Sequence, residues 1–142
     1  MNFTGGLFIT FEGIDGSGKS TQSQLLYDAL NDLGISVIQT REPGGSIGAE
    51  IIRSLLVSGD TDRWSAETEI LLFTAARRDH LEKTIQPALT KNQIVICDRF
   101  VDSTRVYQGV ARADLRQTVD ELHSIIIKKE PDITFIIDTD PE

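Results

Sequence analysis

Near its start the chain reads Phe11-Glu12-Gly13-Ile14-Asp15-Gly16-Ser17-Gly18-Lys19-Ser20-Thr21. The part from Gly13 to Ser20 matches the phosphate-loop pattern G-x-x-x-x-G-K-[ST] at every position. The glycines permit a tight turn whose N–H groups point at a polyphosphate, beside the positive end of the next helix. Lys19 adds a charge for the outer phosphates, and the Ser20 hydroxyl is suited to Mg²⁺. We therefore expect every residue from Gly13 to Thr21 to line the phosphates of a nucleotide.

The flanks of this loop agree with the motif. Residues 7–11 form a short apolar run without helical spacing, which predicts a buried strand. Leu26, Leu30 and Leu33 then recur at helical spacing, and Gly34 marks the predicted end of the helix. A strand, a glycine-rich loop and a helix in this order are the context that the motif requires. The loop predicts nucleotide binding, whereas the reaction must be inferred from other segments.

The composition is that of one globular domain. The chain has 142 residues, of which 39% are hydrophobic and 25% are charged. Its net charge of −8 argues against nucleic-acid or anionic-membrane partners but permits small phosphorylated ligands. No apolar run reaches membrane-spanning length, and the segment from Met1 to Thr4 lacks a signal-peptide pattern. The single cysteine, Cys97, lies in an apolar run, so we expect a buried structural thiol and a cytoplasmic protein.

Strands and helices are predicted to alternate along the rest of the chain. Pro87 should kink or end the third helix within its final turn. Such alternation predicts an α/β fold of the P-loop NTPase type, with three layers, a mostly parallel sheet and right-handed crossovers. We expect residues 1–142 to form a single P-loop domain. After the first strand and helix, the predicted strands cover residues 35–40, 93–98 and 133–138, and the predicted helices cover residues 46–56, 65–89, 101–111 and 115–128.

Several polar segments follow the predicted strands, and parallel sheets bind ligands at this edge. Asp98 can hold Mg²⁺ through its waters or accept a hydrogen bond from Ser20. Asp138 is a competing acid, and position alone does not separate the two. Arg99 is a fork-shaped donor suited to a substrate phosphate. In isolation Asp98-Arg99 would more commonly form a strand-end ion pair, but with a phosphate loop predicted alongside we favour a functional role. The segments expected to converge at this edge are the phosphate loop, residues 41–45, residues 98–99 and residues 138–140.

A candidate base clamp lies on the third helix. Phe73 and Arg77 are four residues apart and therefore share a face, so one could stack on a base while the other donates to its carbonyl. From spacing alone, Phe73 in the run Leu71-Leu72-Phe73 is more typical of a core residue, and Arg78 is an alternative exposed partner. Tyr107 and Gln108 carry polar tips near the predicted site, so they can be site residues, but each is also an ordinary residue by itself.

The phosphate loop occurs in several classes of protein, which the other segments help to separate. A GTPase switch would need a base-reading N/T-K-x-D segment, and residues 90–93 lack its acid. A small kinase needs an acid for Mg²⁺, an acceptor pocket and cations that bring two anionic substrates together. We favour the kinase. The alternatives are another nucleotide or deoxynucleoside kinase, and a P-loop binding protein or switch without efficient transfer.

Four segments together resemble one family, the thymidylate (dTMP) kinases of the nucleoside-monophosphate kinase group. They are residues 11–22, Arg41-Glu42-Pro43-Gly44-Gly45, residues 72–77, and residues 98–103 followed by Tyr107-Gln108-Gly109. The first is shared by many kinases, whereas the second and the last are much more specific. The resemblance implies a homodimer that uses Mg²⁺ and transfers the γ-phosphoryl group of ATP to dTMP, giving dTDP on the route to dTTP.

The resemblance also implies roles for individual residues. Lys19, Asp98 and Arg99 would be catalytic, with Arg99 gripping the acceptor phosphate, while Ser20 and Asp98 would support Mg²⁺. Gly13, Ile14, Asp15, Gly16, Ser17, Gly18, Lys19, Ser20 and Thr21 would bind ATP.

The residues implied for dTMP come from several segments. Asp15 would bind the sugar 3′-hydroxyl, and Tyr107 would stand where a ribose 2′-hydroxyl would protrude. Phe73 would stack on thymine, and Arg77 would donate to it. The implied set is Asp15, Pro43, Phe73, Arg77, Arg99, Ser103, Tyr107 and Gln108.

Two features depart from the family pattern. Residues 14–17 contain no arginine, so the chain resembles the mainly bacterial type whose mobile lid carries the basic residues. The chain also stops at Glu142, where such a lid would begin, and we expect it to be a truncated part of a longer protein. The dimer interface is expected on the third helix. Val106 replaces a small alanine that is common in this motif.

Overall fold

The structure, a computed structural model, describes residues 5–110 and 114–140. The expectations for Met1 to Thr4, Ala111 and Glu142 lie outside these residues. The chain divides into two compact units. The first, here the sheet unit, comprises Met1–Glu42, Ile85–Phe100 and Pro131–Glu142, and the second, the helical unit, comprises Pro43–Thr84 and Val101–Glu130.

The secondary structure alternates as predicted. None of the helices over residues 5–110 and 114–140 has both the length and the apolar character needed to cross a bilayer. The strands are β1 Leu7–Glu12, β2 Val37–Arg41, β3 Ile94–Asp98 and β4 Ile133–Ile136, and the α-helices are α1 Lys19–Asp32, α2 Ile47–Val57, α3 Ala66–His80, α4 Gln86–Thr90, α5 Val101–Thr104 and α6 Arg116–Leu122. Short π-helical segments span Leu81–Ile85, Arg105–Val110 and His123–Ile127.

The sheet unit is built on four parallel strands in the order β2-β3-β1-β4. Because β1 and β3 lie in the centre, their apolar residues are buried on both faces, which explains the absence of polar alternation in their sequences. β1 and β3 pair in register from Leu7 opposite Ile94 to Phe11 opposite Asp98. The expected α/β fold with a parallel sheet is confirmed.

One face of the sheet forms a core with the first helix. Ile9, Phe11 and Ile96 are buried there, and Leu26 and Leu30 of α1 pack against them. The predicted apolar stripe also included Leu33, and this part of the prediction is wrong. Leu33 is 74% exposed because α1 ends at Asp32 and Leu33 serves only as its C-terminal cap.

The edge strand β4 is held to β1 by side chains as well as by its backbone. Asp132 accepts a 2.7 Å hydrogen bond from the Phe8 N–H through its carboxylate, and its own N–H donates to the Phe8 carbonyl. The hydroxyls of Thr10 and Thr134 lie 2.9 Å apart. β4 ends at Ile136, two residues before the predicted end, so Asp138 lies beyond the strand.

In the helical unit, α2 and α3 each begin after a serine whose side chain caps the helix. Ser46 accepts from the Ala49 N–H, and Ser65 accepts from the Thr68 N–H. Apolar residues of α2 differ in their exposure: Ala49 is fully buried, whereas Ile47 is 87% exposed.

The long predicted helix over residues 65–89 corresponds to three consecutive helical segments, α3, Leu81–Ile85 and α4. They end at Thr90, so Pro87 lies in the last turn of this helical stretch, where a proline was expected to end it.

The two serine caps provide a test of these contacts. Beyond its cap, the Ser46 hydroxyl donates to the charged Asp79 Oδ2 at 2.6 Å, whereas the Ser65 hydroxyl donates to the neutral Thr68 Oγ1 at 2.9 Å. We expect Ser65→Ala to lower the free energy of unfolding by about 1 kcal/mol. Ser46→Ala should cost about 2–3 kcal/mol, because it also leaves a carboxylate without its donor. Urea unfolding of both variants measures the difference, and equal costs would contradict the described Ser46–Asp79 contact.

Candidate active site

The phosphate loop connects β1 to α1 with its backbone in the conformation that the motif requires. Gly18 has a φ of 94° and is the N-cap of α1, so no side chain competes for the first N–H groups of the helix. Gly13 is a site of close approach, because an added Cβ would lie 2.7 Å from the Ile137 carbonyl oxygen. Larger residues would therefore displace the loop from the end of β1.

Asp98, at the end of β3, lies against two residues of this loop. Ser20 Oγ donates to Asp98 Oδ2 at 2.9 Å, and Lys19 Nζ lies 3.3 Å from Asp98 Oδ1. Lys19 is only 7% exposed, so this is a largely desolvated pair of charges. Asp138, the competing acid of the sequence, is exposed beyond the end of β4. The structure thus brings Asp98 to the loop, as one of the two interpretations predicted.

The donor atoms around Asp98 fit a magnesium ion. Asp98 Oδ1 is buried and accepts no hydrogen bond from any residue in the described ranges 5–110 and 114–140, so its contact with Lys19 is purely ionic. Ser20 Oγ uses its hydrogen on Asp98 Oδ2 and keeps its lone pairs. Hard oxygen donors of this kind, completed by water and phosphate oxygens, are what Mg²⁺ prefers.

Arg99 directs its guanidinium to the phosphate loop. Its NH2 group lies 2.6 Å from Asp15 Oδ1, in a pair whose carboxylate is almost fully exposed. An exposed partner of this kind contributes little to stability, so a competing anion can replace it at low cost. Asp15 and Arg99, the two residues of the sheet unit that were predicted to contact the acceptor substrate, therefore lie together.

In the helical unit, Arg77 is a buried, oriented cation. It is 4% exposed, and its NH2 group donates to Thr104 Oγ1 at 3.0 Å. Phe73, one turn earlier on α3, is half-buried, so it is not a fully enclosed core residue. Gln108 Nε2 donates to Glu69 Oε2 at 3.4 Å. Thus Arg77 and Gln108 are each tied to a neighbour within this unit.

Sequence reasoning did not find Thr104 or Glu69. Thr104 directly follows Ser103 in the chain, and Glu69 lies one helical turn before Phe73. Their contacts join positions 27 and 39 residues apart, which no local pattern reveals. Ser103 and Tyr107 are half-buried, as is Pro43, whose carbonyl accepts from Arg53 NH1 at 2.7 Å.

A cluster of carboxylates supports the segment that carries Tyr107. Arg105 lies 2.8 Å from Asp102 and 2.6 Å from Asp120. Burial alone would lower the pKa of Arg105, but its hydrogen bonds to Asp102 and Asp120 outweigh burial and raise it. For Asp120 the directions are reversed. Desolvation alone would raise its pKa, but the guanidinium of Arg105 outweighs desolvation and lowers the pKa below the usual value. Arg105 therefore stays charged and anchors the π-helical segment Arg105–Val110 to α6.

A parallel sheet, a glycine-rich loop at the carboxyl end of its central strand and an acid on the adjacent strand define a P-loop protein of the α/β class. The model of the thymidylate kinase family matches residues 11–142. The chain therefore belongs to the thymidylate kinase family.

Individual relatives agree with this family. The chain is 68% identical to the thymidylate kinase of Ruegeria pomeroyi over 96% of its own length and 65% of that protein. It is 66% identical to the thymidylate kinase of Dinoroseobacter shibae over 96% of its length and 66% of that protein. The crystal structure of thymidylate kinase from Ehrlichia chaffeensis superimposes with a TM-score of 0.89 at 48% identity, covering 96% of this chain and 78% of that one. The chain thus spans slightly less than two thirds of the length of the two curated relatives.

Inorganic tripolyphosphate tests the loop without any assumption about the acceptor. Lys19→Ala should weaken its binding at least about tenfold, because a charge is lost and Asp98 is left to repel the anion. Lys91→Ala is the matched control, since it removes the same charge from an exposed position after α4. Isothermal titration calorimetry measures both affinities. If the two variants bind alike, Lys19 does not face the phosphates.

Proposed function

We propose that the protein to which this chain belongs is a dTMP kinase, which transfers the γ-phosphoryl group of ATP to dTMP and gives ADP and dTDP. The observation that supports this proposal most directly is the contact of Asp98 with Lys19 and Ser20 of the phosphate loop, in a chain of the thymidylate kinase family. The same contact favours Mg²⁺ as the cofactor and ATP as the donor.

In this proposal the sheet unit binds the phosphates. The N–H groups from Gly13 to Thr21 and the ammonium of Lys19 hold the β- and γ-phosphates of ATP. Ser20 and Asp98 provide oxygen ligands for Mg²⁺, which when bound neutralises charge on the phosphates. Arg99 leaves Asp15 and binds the acceptor phosphate, and Asp15 becomes free to accept from the sugar 3′-hydroxyl.

The proposed chemistry requires alignment more than proton transfer. The acceptor oxygen of a nucleoside monophosphate is already anionic, so no general base is needed. The barrier arises from bringing two negatively charged phosphates together, which the cations of Lys19 and Arg99 reduce.

The helical unit is proposed to recognise the nucleoside. Phe73 stacks on thymine, and Arg77, oriented by Thr104, donates to a carbonyl of the base. Gln108 and Ser103 add polar contacts to it. Tyr107 excludes a ribose 2′-hydroxyl, so deoxyribose is preferred. Pro43 borders the pocket.

An acceptor panel tests the proposed reaction. The full-length protein, purified as encoded, should form ADP from ATP-Mg²⁺ fastest with dTMP, more slowly with dUMP, and hardly at all with dCMP or thymidine. Arg99→Ala should lower kcat/KM for dTMP by about 100-fold or more, because it removes a charge-assisted bidentate contact. Arg116→Ala is a matched control, because Arg116 is 53% exposed on α6.

Other outcomes would identify the alternatives. A preference for another nucleotide or for thymidine would indicate a related kinase. Nucleotide binding with no acceptor-dependent ADP would indicate a P-loop binding protein or switch. Normal turnover of Lys19→Ala would contradict the phosphate-loop mechanism itself.

We further propose that the protein is a homodimer and works in the cytoplasm, where its substrates are found. Support for the dimer comes from apolar residues that face outward on α2 and α3: Ile47, Ile51 and Leu71 are 87%, 62% and 58% exposed. Exposed patches of this kind mark association sites.

Light scattering of the full-length protein tests this association. Ile51→Glu and Leu71→Glu should shift the dimer to monomer, because each buries a charge in an apolar contact. Ile125→Glu, at a comparably exposed position of the same unit, should remain dimeric. A wild-type monomer, or dissociation by Ile125→Glu alone, would contradict the proposed surface.

A further inference from the structure

Arg99 has an unusual backbone for a residue with a large side chain. Its φ is 71°, in the left-handed region, where a non-glycine residue is strained by about 1–3 kcal/mol. Within the described residues, Asn92 and Lys128 are the other non-glycine residues with positive φ. Those two follow helical segments, where the left-handed conformation is a common way to end a helix. Arg99 follows a strand, so another feature must hold its conformation.

The peptide groups around Arg99 are fixed from three directions. The Arg99 N–H donates to the Phe11 carbonyl at 2.9 Å, which continues the pairing of β3 with β1. The Cys97 thiol donates to the Arg99 carbonyl at 3.0 Å. The next N–H, that of Phe100, donates to Glu12 Oε1 at 2.7 Å. The peptides before and after Arg99 are therefore both held by hydrogen bonds, and together they set its φ and ψ angles.

The hydrogen bond that the Glu12 carboxylate accepts from the Phe100 N–H is the strongest of these contacts. It also has the highest free-energy cost, because it requires a buried carboxylate. Glu12 is 6% exposed, and a buried carboxylate is unfavourable unless hydrogen bonds compensate it. Its 2.7 Å distance is typical of a charge-assisted bond, which is about twice as strong as a neutral one. The bond joins residues 88 positions apart, so it has no role in forming a local turn.

The position of Glu12 connects the two functional segments of the sheet unit. Glu12 is the last residue of β1, directly before Gly13 and the phosphate loop. Its side chain reaches the peptide directly after Arg99. A shift of either segment would break a short, buried bond, so the distance between the loop and the arginine is fixed.

We infer that Glu12 is a positioning residue for Arg99: its carboxylate holds the strained peptide so that the guanidinium stays directed at the phosphate loop. Glu12 acts through Arg99 and contacts neither substrate. The inference rests on the proposed kinase function, in which Arg99 binds the acceptor phosphate.

Variants of Glu12 in the full-length protein test this role, because KM for dTMP and KM for ATP should respond differently. Glu12→Met keeps the length of the side chain and loses the acceptor, so KM for dTMP should rise about 10–100-fold. KM for ATP should change less than about threefold, because the phosphate loop and Lys19 remain. Glu12→Gln retains an oxygen acceptor and should recover most of the loss.

Two controls distinguish positioning from general destabilisation. Thr10→Val removes a buried hydrogen bond on the same face of β1, so it should lower stability while leaving both Michaelis constants unchanged. In an Arg99→Ala background, Glu12→Met should have no further effect on KM for dTMP, because the residue that it positions is absent. An equal rise in both Michaelis constants, or additive effects with Arg99→Ala, would overturn the inference.

A crystal structure of Glu12→Met provides a readout that does not depend on activity. The φ angle of Arg99 should leave the left-handed region, or the residue should adopt several conformations. An unchanged Arg99 backbone would overturn the inference even if the kinase function is confirmed. A wild-type protein that does not phosphorylate dTMP would instead refute the proposed function, and the structure of the variant would still decide whether Glu12 holds Arg99.

Discussion

The parallel pairing of β1 with β3 is the constraint on which the candidate active site depends. The phosphate loop follows β1, and the residue pair Phe11 and Asp98 is the last of the β1–β3 register. This register places the Asp98 carboxylate against Lys19 and Ser20. Successive residues of a strand face opposite sides of the sheet, so a slip by one residue would turn Asp98 away from the loop. The same pairing supplies the carbonyl of Phe11 that fixes the Arg99 N–H.

The charges at this edge explain how an acidic chain can have a site for anions. The net charge is −8, yet the cations of the sheet unit's site, Lys19 and Arg99, each lie within a few ångströms of a carboxylate. A largely buried lysine is stable only beside its partner, because an isolated charge in this position would be strongly disfavoured. The pairs hold both cations in place before ligand binding, and such preorganisation reduces the cost of binding phosphates.

Sequence reasoning worked where a local pattern determines a local structure. The glycine loop, the four strands and the parallel α/β fold follow from spacing and residue type. It was wrong for Leu33, because its burial depends on where α1 ends, and helix ends are decided by packing that the periodicity does not contain. It could not find Thr104 beside Arg77 or Glu12 beside Phe100. These contacts join segments distant in the chain and require the register of the sheet or the packing of helices to be known.

The central claim is that the β1–β3 register makes Asp98, rather than Asp138, the acid that supports Mg²⁺ at the phosphate loop. The most direct test is the effect of Mg²⁺ on ATP affinity, measured by calorimetry for the wild-type protein, Asp98→Asn and Asp138→Asn. The account predicts that Mg²⁺ strengthens ATP binding to the wild type and to Asp138→Asn, and that Asp98→Asn loses most of this gain. A full Mg²⁺ effect in Asp98→Asn, with its loss in Asp138→Asn, would contradict the account.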